Sequence, residues 1–140
     1  MMKITAEEFQ AHIKVGAVYY FSDYKIASGD PHYFILINKN PQDEVFLIFV
    51  PATTLDIWSV KSVEKYPRET IIDLTPKDCV FLQHPSIFDC NRPVVRHIDV
   101  LIAKAVKGEL KIKNEVSLEI VDKPRKGILA SKLVSPKVKK

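Results

Sequence analysis

Apolar and polar positions along the chain change their spacing several times, and each change marks a predicted element. Thr5 stands three residues before Glu8, the pattern of a capping box in which each side chain serves the other's backbone N–H. Phe9 and Ile13 then share one helical face, so Ala6 to Lys14 reads as a short amphipathic helix that Gly16 closes. From Ala17 to Phe21 the run turns aromatic and β-branched, the composition of a half-buried strand. The turn-forming Ser28-Gly29-Asp30-Pro31 precedes a second strand, His32 to Asn38, and Asn40-Pro41-Gln42-Asp43 turns the chain again. Glu44 to Ala52 is the most apolar stretch, too short and too β-branched for a buried helix, and should pair antiparallel with the strand before it.

The second half is more broken. Thr54 to Pro67 has weak periodicity, one tryptophan (Trp58) and several charges, which marks it as a candidate substrate-facing loop. Thr70 to Leu74, Pro76 to Leu82 and, after the His84-Pro85 break, Ser86 to Asn91 read as short strands at a spacing that suits a barrel or sandwich. Arg96 to Val106 mixes strand alternation with helix formers, and Gly108 ends whichever element forms there. Leu118, Ile120 and Val121 lie before Pro124 and Ile128, Leu129 and Leu133 after it, so two helical pieces packed on the barrel are expected. The expected architecture is one mainly β domain over residues 1–140. It consists of a small β-barrel at 16–110, a short N-terminal helix and a basic helical tail at 115–140.

Composition narrows this picture. The chain has 140 residues, 46% of them apolar, enough for one continuous core and too few for two. The start, MMKITAEEFQ, lacks the basic-then-apolar order of a secretory signal, and no apolar run is long enough to span a bilayer, so a cytoplasmic protein with no membrane contact is expected. Cys79 and Cys90 have neither zinc-ligand spacing nor a disulfide framework and read as reduced thiols. Residues 121–140 hold seven Lys or Arg against one Asp, so the net charge of +4 is local to that end. Such a run is either a solvated tail or a set of phosphate contacts.

Four segments together resemble the PemK/MazF toxin family. Lys14-Val15-Gly16-Ala17-Val18-Tyr19-Tyr20 is similar to the family's opening "GDIVWV" strand, and His32-Tyr33-Phe34-Ile35-Leu36-Ile37-Asn38 to its "RPVLVI" strand. Phe46 to Thr54 resembles the strand ending in "PiTs", and Pro85 to Asn91 falls where the family has "DSVILLEQI". The resemblance covers Gly16 to Leu110 and rests on order and spacing more than on identities. It implies an SH3-like barrel, metal-independent endoribonuclease activity on single-stranded RNA, no cofactor, an antitoxin protein as partner and a homodimer. The family shares its fold with the gyrase poison CcdB, so a non-catalytic barrel that binds a protein partner or nucleic acid is the alternative. One departure bears on this choice: the family's catalytic arginine falls on His32.

Cleaving RNA without a metal requires a base for the ribose 2′-hydroxyl proton, donors for the crowded phosphate and an acid for the leaving 5′-oxygen. His32, at the start of a strand and close in sequence to Asp30, is the first candidate, because imidazole exchanges protons near neutral pH. The structural alternative is a capped surface histidine. Thr53 or Thr54 corresponds to the family's catalytic Thr/Ser and offers its hydroxyl to a phosphate oxygen, or else simply terminates the strand. Ser86 and Asp89 are candidates for substrate contact or for polarising His84, against an ordinary turn role. Arg92 and Arg96 offer the cation that His32 does not supply, against exposed salt bridges. Tyr24, Trp58 and Tyr66 are candidate faces for stacking unpaired bases. The sequence contains no metal-ligand cluster and no glycine-rich phosphate loop.

Overall fold

The computed structural model describes residues 4–23, 31–54, 70–74, 77, 82, 86–91, 93–113, 115–131 and 134. Helix α1 spans Ala6–His12, and its capping box forms as the sequence implies: the Glu8 amide donates to Thr5 Oγ1 at 3.1 Å and the Thr5 amide to Glu8 Oε1 at 3.2 Å. Gln42 closes the other end, its Nε2 donating to the carbonyls of Gln10 and Ile13, both at 2.7 Å. The Gln10 carbonyl also accepts from the capping Ile13 amide at 3.2 Å, while the Ile13 carbonyl lies past the last helical turn, where no intrahelical donor reaches it.

Strand β1 (Val18–Phe21) pairs antiparallel with β2 (His32–Leu36), and β2 with the long β3 (Phe46–Thr54), which is the hairpin expected from the sequence. Asn38 extends that hairpin beyond its last strand residue, its Oδ1 accepting from the Ile48 amide at 2.7 Å and its Nδ2 donating to the Phe46 carbonyl at 3.2 Å. The other edge of β3 is divided between two strands. Its last three residues pair with β5 (Ser86–Asp89) and its first four with β6 (Val94–His97). Strand β4 (Ile71–Leu74) pairs with β5, and β7 (Lys111–Lys113) pairs with the free edge of β1. The seven strands form one antiparallel sheet whose hydrogen-bonded ladder, among the described residues, is open.

Arg96 to Val106, ambiguous in sequence, divides at its middle. The first residues belong to β6, and helix α2 occupies Ile98–Val106, with His97 as N-cap. Gly108, at φ +79°, follows it in the left-handed conformation that ends such helices. Helix α3 occupies Leu118–Ala130 without a break, which corrects the expectation of two pieces separated by Pro124. Ile120, Val121, Pro124, Gly127 and Ile128 are all buried. They form a helical stripe that runs straight through the proline, and burying such apolar side chains, at about 1.5–3 kcal/mol each, outweighs a mid-helix proline at about 3 kcal/mol.

Alternation along the strands sends side chains to two cores. On one face Tyr19, Phe21, Phe34, Leu36, Leu47, Phe49 and Val94 pack with Phe9 of α1 and Leu101 of α2. On the other, Val18, Ile35, Val50, Ala52 and Phe88 pack with Ile120, Val121 and Ile128 of α3. The basic C-terminal stretch thus begins as a structural layer, with Lys123 and Lys126 on its exposed side. Gly16, at φ +83°, lets the chain pass beneath that layer, since a Cβ there would meet the Val116 carbonyl oxygen at 2.5 Å.

Candidate functional site

The β2–β3 register sets Tyr33 opposite Ala52, so the next position on each strand brings His32 beside Thr53. On its other side His32 pairs with Phe21, while Thr53 pairs with Ile87 and Thr54 with Ser86. His32, Thr53, Thr54 and Ser86 therefore gather at one end of the sheet, although 54 residues separate the first from the last. The His32 ring is half-buried, 6.4 Å from the Phe34 ring and tilted against it. Ser86 is buried. Asp89 lies at the far end of β5, opposite Ile71, and so away from this group along the strand.

Arg96 reaches the same end by another route. It sits on β6 opposite Leu47, at the start of β3. Its Nε donates to Asp23 Oδ2 at 2.7 Å, its Nη2 to Asp23 Oδ1, and its Nη1 to the Val95 carbonyl at 2.6 Å. Asp23 is two residues beyond Phe21, the partner of His32. The side chains of this ion pair are 10% and 1% exposed, which corrects the expectation of a solvent-exposed salt bridge. The pair joins the end of β1 to β6, two strands that are not neighbours in the sheet, beside a core that holds Phe21, Phe34 and Phe49. The aromatic rings inside interlock, with Phe21 and Phe34 stacked at 4.3 Å and both edge-on to Phe49.

Asp23 was not a candidate from sequence, and no local signal marks it: its partner is 73 residues away. Tyr20 and Tyr33 were also missed. They pair across β1 and β2 with ring centroids 4.7 Å apart, and Lys113 Nζ stands 5.9 Å from the Tyr20 ring centre. Strand geometry was their signal, since successive side chains point to opposite faces and Tyr20 is thereby sent to the face opposite Phe21. Asp30 and Arg92 lie outside the described residues, as do Tyr24, Trp58, Tyr66, His84 and Cys79. Cys90 is buried against the α3 side of the sheet. Among the described residues no helix is long and apolar enough to cross a membrane.

No protein-family model and no curated protein matches the chain. Solved structures do. An endoribonuclease in complex with its cognate antitoxin, from a mycobacterial species, aligns with a TM-score of 0.54 at 13% identity, covering 85% of this chain and 93% of that one. A second mycobacterial endoribonuclease aligns at 0.51 and 13% identity, covering 84% and 88%. The mainly β fold expected from the resemblance in sequence is the fold these endoribonucleases share, and the leading helix is the one the capping box predicts.

Proposed function

We propose that the chain is a toxin-like endoribonuclease of a toxin–antitoxin pair, which cleaves single-stranded RNA in the cytoplasm without a metal. The observation that carries this reading is the adjacency of His32 and Thr53 at one end of a sheet whose fold is that of solved endoribonucleases. In the proposed reaction His32 takes the 2′-hydroxyl proton, and the freed oxygen attacks the adjoining phosphorus. The P–O5′ bond breaks, a 2′,3′-cyclic phosphate remains on the upstream fragment, and the 5′-oxygen leaves with a proton from the imidazolium or from water. The hydroxyl of Thr53 or Thr54 serves as donor to a phosphate oxygen as charge builds there.

In this reading Arg96 positions rather than clamps. Its guanidinium is committed to Asp23 and to the Val95 carbonyl, and it steadies the β1 end that borders His32. Asp30, Ser86, Asp89 and Arg92 remain proposed substrate contacts. A small antitoxin protein is the proposed inhibitor and a homodimer the proposed assembly, both by analogy with the family resembled.

Incubating the purified protein in EDTA with a long single-stranded RNA and with DNA of the same sequence tests the reading. Cuts in the RNA alone, each leaving a cyclic phosphate, are the expected result. Intact RNA would leave the alternative, a non-catalytic barrel that binds a protein partner.

A further inference from the structure

Tyr20 and Tyr33 stand side by side on the face of the sheet that α3 covers only in part. Tyr33 packs against the margin of that core, while Tyr20 is half-buried and outside it. Strand β7 carries exposed Lys111 and Lys113 along the adjoining edge. The register sets Lys111 opposite Tyr20 and Lys113 opposite Val18, and residues directly opposite in an antiparallel pair project to the same face. Two aromatic rings and two ammonium groups thus share one surface, and the ring pair begins one residue from His32. Glu115, two residues beyond Lys113, is held by Lys14 at 3.1 Å and so does not cancel these charges.

We propose that Tyr20, Tyr33, Lys111 and Lys113 form a platform for single-stranded RNA, with an unpaired base stacked on the Tyr20 ring and the lysines on the phosphates flanking it. Aromatic faces beside positive charge are the usual grip on unpaired nucleic acid, because every base has a π-face and every linkage a negative charge. Lys113 stands at the outer limit of cation–π contact, so its ammonium turns to a phosphate as a base takes the ring. The platform's rings project to the face opposite Phe21 and Phe34, whereas the His32 ring lies on the Phe34 side, so platform and His32 stand back to back at neighbouring positions of β2. A strand held on the platform reaches the proposed cleavage site by passing round that end of the sheet, and in that respect the inference rests on the nuclease reading, although binding itself does not.

The probe is a labelled 2′-O-methyl oligoribonucleotide of about ten nucleotides, which cannot be cut through its 2′-oxygen. It is titrated against the parent protein and against Tyr20→Leu, Tyr20→Phe and the Lys111→Gln/Lys113→Gln double variant, with thermal melts alongside. Tyr20→Leu should bind about tenfold more weakly or worse, and Tyr20→Phe like the parent. The double variant should lower the slope of log affinity against log salt by about 1.4. Parent-like binding and salt slope in both Tyr20→Leu and the double variant would overturn the platform and assign the lysines to protection of an edge strand, as would a parent that does not bind the probe. Binding that depends on Tyr20 in a protein that leaves RNA intact would uphold the platform and refute the nuclease. RNA cleavage with unchanged binding by Tyr20→Leu would do the reverse.

Discussion

The Tyr19 hydroxyl is fully buried and has no hydrogen-bond partner among the described residues. Its ring is well placed, 5.2 Å from Phe9 and 6.0 Å from Phe49, so the ring stabilises while the oxygen opposes. An unpaired buried hydroxyl costs about 1–3 kcal/mol, and Tyr19→Phe should raise the melting temperature with the fold unchanged. Burial also pushes the Tyr19 pKa well above its ordinary 10.0. The folded state therefore holds this proton after the unfolded chain has released it, and stability falls as pH rises above 10. Tyr19→Phe should lose less stability than the parent between neutral pH and pH 11, as measured by urea titrations at each pH. Asp23 and Arg96 present the opposite case, in which each group satisfies the other. Arg96→Met alone removes the bidentate partner of a buried carboxylate and should cost about 3–5 kcal/mol, whereas Asp23→Leu with Arg96→Met should recover most of it. Equal losses in the single and double variants would show that the pair does not hold β1 to β6.

Local chemistry made several elements legible at the next scale. Thr5 and Glu8 announced the start of α1, and β-branched, aromatic composition announced β1, β2 and β3 to within about two residues. Two elements were not legible, for separate reasons. Lys111-Ile112-Lys113 has a single apolar residue and no intrinsic strand signal, and it is a strand because the free edge of β1 supplies its partners. Pro124 reads locally as a breaker, yet the apolar stripe of α3 is fixed by contacts with the sheet, which a local rule does not contain. The proline still removes the donor for the Ile120 carbonyl. Pro124→Ala should therefore raise stability by about 1 kcal/mol or more, within the limit of about 3 kcal/mol set by propensity. A lower melting temperature in that variant would show that packing of the buried ring outweighs the missing bond.

Taken whole, the sheet branches because β3 divides its edge between β5 and β6, and Arg96 ties β6 to the end of β1. That arrangement was legible only as a class, since short strands at regular spacing announce a mainly β fold without saying which strands share an edge. The site was partly legible in the same way. His32, Thr53, Thr54 and Ser86 were chosen one at a time, and only the register shows that they share one end of the sheet; the buried Asp23 partner of Arg96 and the Tyr20–Tyr33 pair required the fold. If the site is as proposed, His32→Ala and Thr54→Ala should each abolish cleavage while leaving the thermal melt nearly unchanged, and full activity in both would dismiss it. The most direct measurement uses an RNA with one 2′-deoxynucleotide at a mapped cut, incubated in EDTA with the parent and with His32→Ala. The account predicts that the parent spares that linkage and cuts the all-ribose control, and that His32→Ala cuts neither; cleavage at the deoxy linkage, or undiminished cutting by His32→Ala, would contradict it.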